Sequence, residues 1–478
     1  MRNHPILISC VAIAGIIAAC SSSKSDSNGA GGAAGSGTAG SATNSGGTAG
    51  SAGSATNSGG SAGTSTGSGG EAGDVGNSGG TSGSGTAGSG TGGAVQPGAP
   101  GWTAVPLLDD MTDPQNTIVR SGNDLVSGIY FASLDDGWVT TRGSQGSFGN
   151  GGAIYKAKST SLTSLLFSAN QTVPCLGGNM DFMGIDKSPD GYNILGIACN
   201  IVASHDAGKT FTVVANNAAS FGIEQTLAMR SFSGGTMMFA DTGYVATSTD
   251  APGPTSTWTT IWAPEGVPPT PNPVPTDECQ TIQKNAQPAE RTVAYVSPDA
   301  KLVAYVTATG AQEPIVCVSK DSGKSFFPRS LPNFPTDATD FAPSGVVFAN
   351  STVGITWWAD NIYPMGSYIY RTTDSGDTWT SVALPTAVAG KAIELTSGFF
   401  APDGTNGWLV GYDYDASSAL ILRTVDAGVT WTKSGGDLAT KVDGAGGGKL
   451  YTGFALDAYH IWVGGDYGVL MANADGGD

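Results

Sequence analysis

Charge is scarce in this chain. Asp, Glu, Lys and Arg together make up 13% of its 478 residues, about half the share found in an ordinary soluble domain. Basic residues are scarcer than acidic ones, 21 Lys and Arg against 39 Asp and Glu, for a net charge of −18. A surface of that sign cannot release counterions from a phosphate backbone, so no nucleic-acid partner is expected. Three histidines, His4, His205 and His460, are too few for an imidazole metal centre, and neither metal nor cofactor is expected. Long apolar runs are lacking too. The run Ile6 to Ala19 falls short of the ~20 residues that span a bilayer.

Glycine is in excess, with 73 residues unevenly placed. Residues 21–100 hold 27 of them and only four charges, Lys24, Asp26, Glu71 and Asp74. Residues 101–478 carry 19 basic and 36 acidic side chains, a net of −17. Three regions follow: 1–19, 20–100 and 101–478.

Arg2 and the apolar run have the order of a signal peptide. The run ends in Ile17-Ala18-Ala19-Cys20, which resembles the lipobox of bacterial lipoproteins. The resemblance implies cleavage before Cys20, a lipid on its sulfur, and attachment at the cell outer membrane or cell surface, since serine follows at position 21. An ordinary secretory signal with an incidental cysteine is the alternative. Residues 21–96 are mostly Gly, Ser, Ala and Thr, with Ser41 to Gly47 repeated at Ser54 to Gly60. Such a stretch buries too little apolar surface to offset backbone entropy, so a disordered tether is expected. About 80 residues of this type reach on the order of 50 Å.

After residue 100 one pattern recurs. Ser204 to Phe211, Ser319 to Phe326, Thr372 to Trp379 and Thr424 to Trp431 each read Ser/Thr-x-Asp-x-Gly-x-Thr/Ser-aromatic. The aspartate suits acceptance of backbone N–H groups in a tight turn, the glycine suits a positive φ, and the aromatic suits anchoring the next strand. The pattern resembles the Asp-box, or bacterial neuraminidase repeat. Degenerate copies lie near Ser161 and Asp250, and another begins at Asn473 without reaching its aromatic. Ahead of the turns lie strand-like runs such as Gly407-Trp408-Leu409-Val410-Gly411 and Ile461-Trp462-Val463-Gly464-Gly465.

Short strands at this period predict an all-β fold, a seven-bladed β-propeller of four-stranded blades. Gly101 to Leu107 is similar to Thr378 to Leu384, the strand after the box at Asp374. The segment 101–108 is therefore expected to complete the last blade and close the ring without a free edge. A proline-rich insert, 265–287, interrupts the period.

The boxes fall on hairpins between third and fourth strands, so Asp206, Gly208, Asp321, Gly323, Asp374, Gly376, Asp426 and Gly428 read as structural. Arg371 and Arg423 precede two boxes and read the same way. Function is expected on the opposite face, formed by B–C loops within blades and D–A connections between them. Arg142 and the loop after it, the insert, Asp360 to Tyr363, Tyr412 to Asp415 and Asp466-Tyr467 belong there. Asp360, Asp413, Asp415 and Asp466 could act as paired carboxylates on a glycosidic bond. Arg142, Tyr363, Tyr414 and Tyr467 could bind a ligand. Solvated loop acids and rim tyrosines are the structural alternative for the four acids and three tyrosines. The loop Tyr412–Asp415 also has oxygen ligands that would suit calcium, without a recognisable loop motif. Trp357 and Trp358 alternate on a strand, so at least one is expected in the core.

Cys175, Cys199, Cys279 and Cys317 remain once Cys10 and Cys20 are set aside. Three connectivities are open; each pair within one blade favours 175–199 and 279–317, the second fastening the insert onto the functional face. Two reduced pairs are the alternative.

Units such as Gly407 to Gly411 through Leu422 to Trp431 resemble the propeller family of photosystem II assembly and stability factors. The resemblance covers most of 101–478 and implies a binding scaffold for assembly. The sialidases that share the Asp-box clamp substrate with three arginines; their Arg-Ile-Pro signature is absent, and only Arg120, Arg142 and Arg230 are placed to reach the face. The expected function is a lipid-anchored, non-catalytic scaffold, monomeric, binding a protein or polysaccharide on its loop face. The alternative is a secreted glycoside hydrolase.

Overall fold

The computed structural model describes residues 98, 100–106, 125–142, 152–168, 184–187, 194–197, 200–206, 210–216, 226–232, 235–240, 245–248, 258–262, 277–285, 293–309, 313–334, 341–360, 366–444 and 448–477. Cys20, the tether, Arg120, Cys175, Cys199, Gly208, Tyr363 and residues 265–276 and 286–287 of the insert lie outside them.

Among the described residues, six antiparallel sheets each take four consecutive strands: sheet I (125–168), II (184–216), III (226–262), IV (293–330), V (341–382) and VI (393–434). A composite sheet takes Leu450–Ala455, Ile461–Gly465 and Leu470–Asn473 from the C-terminal end, and its outer strand Trp102–Ala104 from far upstream. Trp102 pairs with Asn473 and Ala104 with Met471. The first strands of successive sheets pack side by side, from sheet I through sheet VI to the composite sheet and back to sheet I. The chain is a β-propeller of four-stranded blades, closed by its own N-terminal strand.

Burial follows position within each sheet. Middle strands are sandwiched between neighbouring sheets, so Val303–Ala308 and Ile461–Gly465 are buried at every residue. Outer strands are short and wet; Thr380–Val382 and Thr432–Ser434 bury nothing completely. This explains the continuous apolar runs of the second strands, since a strand covered on both faces has no polar side to alternate. Trp357 and Trp358 are both buried. The ring of Trp357 lies so close to Gly345 that a Cβ there would sit 1.9 Å from it. Phe131 of sheet I stacks on Trp462 of the composite sheet with centroids 3.8 Å apart, sealing the last seam.

The boxes are hairpins between third and fourth strands, and they are tighter than one glycine implies. Ser322 and Gly323, Ser375 and Gly376, and Ala427 and Gly428 all have positive φ, so each turn has two consecutive left-handed residues, the geometry that fits strand twist. Asp374 shows the network. Its Oδ1 accepts from Thr372 Oγ1 at 2.7 Å and from the N–H of Thr378 at 2.9 Å, while Oδ2 accepts from Thr378 Oγ1 at 2.6 Å. Asp206, Asp321 and Asp426 repeat it.

Each box also bears on the preceding sheet. A Cβ on Gly323, Gly376 or Gly428 would lie within 3 Å of Val245, Val318 or Ile355 respectively. Donors cross two of these seams and the two that follow: Lys320 Nζ to Asp374 O, Arg371 Nε to Ala427 O, Trp408 Nε1 to Gly476 O and Trp462 Nε1 to Ser159 O. The boxes are thus inter-sheet joints as well as turns, and Arg371 is one of their fasteners.

Cys279 and Cys317 form a disulfide. Cys279 lies in helix α1 (Glu278–Asn285), whose start is capped by Asp277 and Gln280 donating to each other's side chains at 2.9 Å. Asp277 Oδ2 also accepts from Trp262 Nε1 at 2.8 Å and from the N–H of Phe326 at 2.9 Å. The described end of the insert is thereby docked against the second and fourth strands of sheet IV and the box aromatic, not laid across the loop face. Helix α2 (Leu438–Gly444) follows sheet VI and repeats the device. Asp437 Oδ1 before it accepts from the N–H of Trp102 at 3.0 Å, and Trp102 occupies the place of the box aromatic in the composite sheet.

Candidate binding face

The face opposite the boxes is described best at the seam between sheet VI and the composite sheet. Two strand ends and two loops build it. Glu394 is the second residue of the first strand of sheet VI, and Tyr412 and Asp413 end its second strand directly across the ladder. Lys449 and Tyr451 flank the start of the composite sheet's first strand, and Asp466 and Tyr467 turn between its second and third strands.

At the centre is a carboxylate held from both sides. Glu394 Oε2 accepts from Tyr414 Oη at 2.6 Å, and its Oε1 pairs with Lys449 Nζ. Burial and then the neighbouring Glu394 carboxylate push the Tyr414 hydroxyl well above the ordinary phenol range, so Tyr414 is a donor here and no activated nucleophile. Aromatic rings surround the pair. Tyr412 and Tyr414 meet edge to face at 5.0 Å, and Lys449 Nζ lies 5.2 Å from the centre of the Tyr451 ring.

The acids singled out in the sequence have distinct surroundings. Asp413 is fully buried; its Oδ2 pairs with Lys433 Nζ at 2.9 Å and its Oδ1 accepts from the N–H of Ala416 at 2.9 Å. Burial pushes its carboxyl up, but Lys433 and the turn N–H pull harder, and the carboxyl ends below its usual range. An ammonium on one oxygen and a turn on the other leave the Tyr412–Asp415 loop a poor calcium cradle. Asp415 Oδ2 accepts from the N–H of Ala392 at 3.2 Å, tying the loop to the preceding connection. Asp466 is half-buried, its backbone N–H donates to Lys449 O at 3.0 Å, and its carboxyl faces the backbone N–H and the ammonium of Lys449. Burial pushes that carboxyl up, against the pull of the Lys449 N–H and charge. Asp360 ends its strand on the same face; its side chain lies outside the description.

The four proposed ligand binders separate. Tyr414 and Tyr467 come together at this seam, Arg142 ends the second strand of sheet I elsewhere on the face, and Tyr363 is not described. Tyr467 is 55% exposed and has φ +53°. Arg230 is committed elsewhere. It pairs with Asp186 Oδ1 at 3.2 Å and donates to Val296 O at 3.4 Å, close to the first-to-second-strand turn and so towards the box end of the ring. A three-arginine clamp therefore does not assemble among the described residues.

Sequence reading missed Glu394 and Lys449. The only signal was an acid at the start of one first strand and a base before the next, one repeat later. Among the described residues no group of three or more His, Cys, Asp or Glu could hold a metal ion.

The fold places the chain among β-propellers. No family model matches it, and no curated protein matches its sequence. Solved structures do. YCF48 bound to a D1 peptide superposes with a TM-score of 0.50 at 13% identity, over 78% of this chain and 96% of that one. YCF48 from Cyanidioschyzon merolae gives 0.50 at 14% identity, over 78% and 98%. A GH74 enzyme of Niastella koreensis gives 0.48 at 17% identity, over 74% and 53%. At such identities the likeness is one of fold.

Proposed function

We propose that the protein is a non-catalytic binding scaffold of the cell envelope, held at the outer membrane or cell surface by a lipid on Cys20 and carrying its ligand on the loop face. Counted with its composite sheet, the propeller is seven-bladed, and the 20–100 segment is the tether. The carrying observation is that the acids best placed for catalysis are already engaged: Asp413 by Lys433, Asp415 by Ala392 and Glu394 by Tyr414 and Lys449. A hydrolytic pair needs one carboxylate free to attack or activate water and one free to deliver a proton. What stays open is aromatic surface, suited to a polypeptide or a sugar. That a propeller of this fold holds a D1 peptide supports a polypeptide.

The test is retention of the full-length protein on a glycan array, on immobilised polysaccharides and on envelope protein fractions. Binding lost on Tyr467→Ala, with no glycan consumed, is the expected result. Turnover of any glycan by the wild type would overturn it. One observation favours the hydrolase as a second reading, namely the half-buried Asp466 carboxyl, raised by burial despite Lys449 beside it, the condition of a general acid. In that case Asp466→Asn abolishes turnover while the fold is kept.

A further inference from the structure

We infer that the seam between sheet VI and the composite sheet receives a protonated amine or guanidinium, the side chain of a lysine- or arginine-bearing segment of a partner polypeptide. The inference rests on the binding reading above and names its ligand chemistry.

The charges at the seam do not cancel. Lys449 pairs with Glu394 and also faces the half-buried Asp466 carboxyl with its backbone N–H and its charge, so two carboxylates share one ammonium. A half-buried carboxyl served by one N–H and a shared ammonium keeps acceptor capacity unfilled, and a cation with several N–H groups completes it. The surrounding rings suit the same ligand. Tyr412, Tyr414 and Tyr451 line the seam, and the ammonium of Lys449, 5.2 Å from the Tyr451 ring centre, already makes the contact a ligand ammonium would make.

Tyr467 is a separate observation. A bulky side chain at φ +53° is unfavourable, yet here that conformation holds the ring out, 55% exposed, next to Asp466. Strain kept in an exposed aromatic is a feature of ligand-contacting turns. The net charge of −17 over residues 101–478 draws a basic partner from a distance.

The probe is a fluorescein-labelled peptide of alternating lysine and glycine, read by anisotropy against the full-length protein at low salt, with a glutamate–glycine peptide alongside. The lysine peptide binds and the glutamate peptide does not. Asp466→Asn and Tyr467→Ala each weaken binding about tenfold, whereas Asp466→Glu retains it. Asp135→Asn removes an equal charge from a turn on the opposite face, where Asp135 is 86% exposed, and leaves affinity unchanged. Unchanged melting temperatures exclude misfolding; a variant that melts early is replaced in the comparison by the other. The inference is overturned if the lysine peptide fails to bind, if Asp466→Asn binds as wild type, or if Asp135→Asn weakens binding as much. A polysaccharide or uncharged peptide retained by the wild type and lost on Tyr467→Ala would overturn the cation alone and leave the binding face standing. No retention of any ligand would remove both.

Discussion

The N–H of Gly101 donates to Oδ2 of Asp475 at 2.8 Å across 374 positions of sequence. That bond completes, between the two ends of the propeller, the box that elsewhere lies within eight consecutive residues. Asn473 Oδ1 takes the role of the first hydroxyl, accepting from the N–H groups of Asp475 and Gly477 at 2.9 and 2.7 Å. Asp475 accepts as Asp374 does, and Trp102 supplies the aromatic. One motif, cut in two, closes the ring.

Its loss is therefore costly. Trp102 is fully buried, so Trp102→Ala is expected to cost about 3–5 kcal/mol. Asp475→Ala, which strips one acceptor, should cost about 1–2 kcal/mol. Removal of 101–108 opens the sheet altogether and exceeds both. Urea melts followed by tryptophan fluorescence give the three values, and a deletion melting as wild type would defeat the closure model.

The boxes predict an acid limb in stability. Partial burial pushes the Asp374 carboxyl up, but the Thr378 hydroxyl and N–H, Thr372 and Lys320 outweigh it and bring it down to about 2. A depressed folded value means that the contribution is fully present above the unfolded value of about 3.9. It is lost as pH falls from there through about 2. Asp321 and Asp426 are lowered for the same reason. Stability should fall across that window, and Asp374→Asn should flatten the fall. A variant with the wild-type slope would show that the box carboxylates are not its source.

Cys279 and Cys317 close a loop of 38 residues. Replacing both with serine is expected to cost about 2–4 kcal/mol through the freedom regained by the unfolded chain. The fluorescence of Trp262, which leans on the same capping aspartate, should report loosening of helix α1 before the global melt.

Asp413→Asn tests structure against catalysis. It leaves Lys433 without its carboxylate beside a fully buried position, and a loss of about 2–4 kcal/mol is expected. Full stability together with lost turnover of a glycan would favour the hydrolase instead.

Tyr467→Gly separates strain from use. Glycine adopts the left-handed conformation without penalty, so the fold should gain about 1 kcal/mol while ligand retention drops. Unchanged retention would make the exposed ring incidental.

Much of the architecture was legible because it rests on short-range rules. The Asp-x-Gly spacing encodes a turn, and the likeness of Gly101–Leu107 to Thr378–Leu384 pointed to the strand that Trp102–Ala104 adds beside Leu470–Asn473. The 279–317 pairing was legible from blade position. Less of the site was. Asp413 read as an available loop acid, because nothing in Tyr412–Asp415 shows that Lys433, on another strand of the sheet, turns inward to meet it. Arg230 read as able to reach the loop face, and only the pairing of its strand with Gly235–Ala240 puts it near the other end.

The sequence by itself determined the local conformations: where the chain turns, which runs are covered on both faces, and which residues tolerate a positive φ. These depend on neighbours within a few positions. Tertiary structure alone decided which carboxylates are paired outright and which shares a cation. Glu394 and Lys449, 55 residues apart, meet only when successive sheets are wedged into a ring. The partial burial of Asp466 beside Lys449 arises at that same seam.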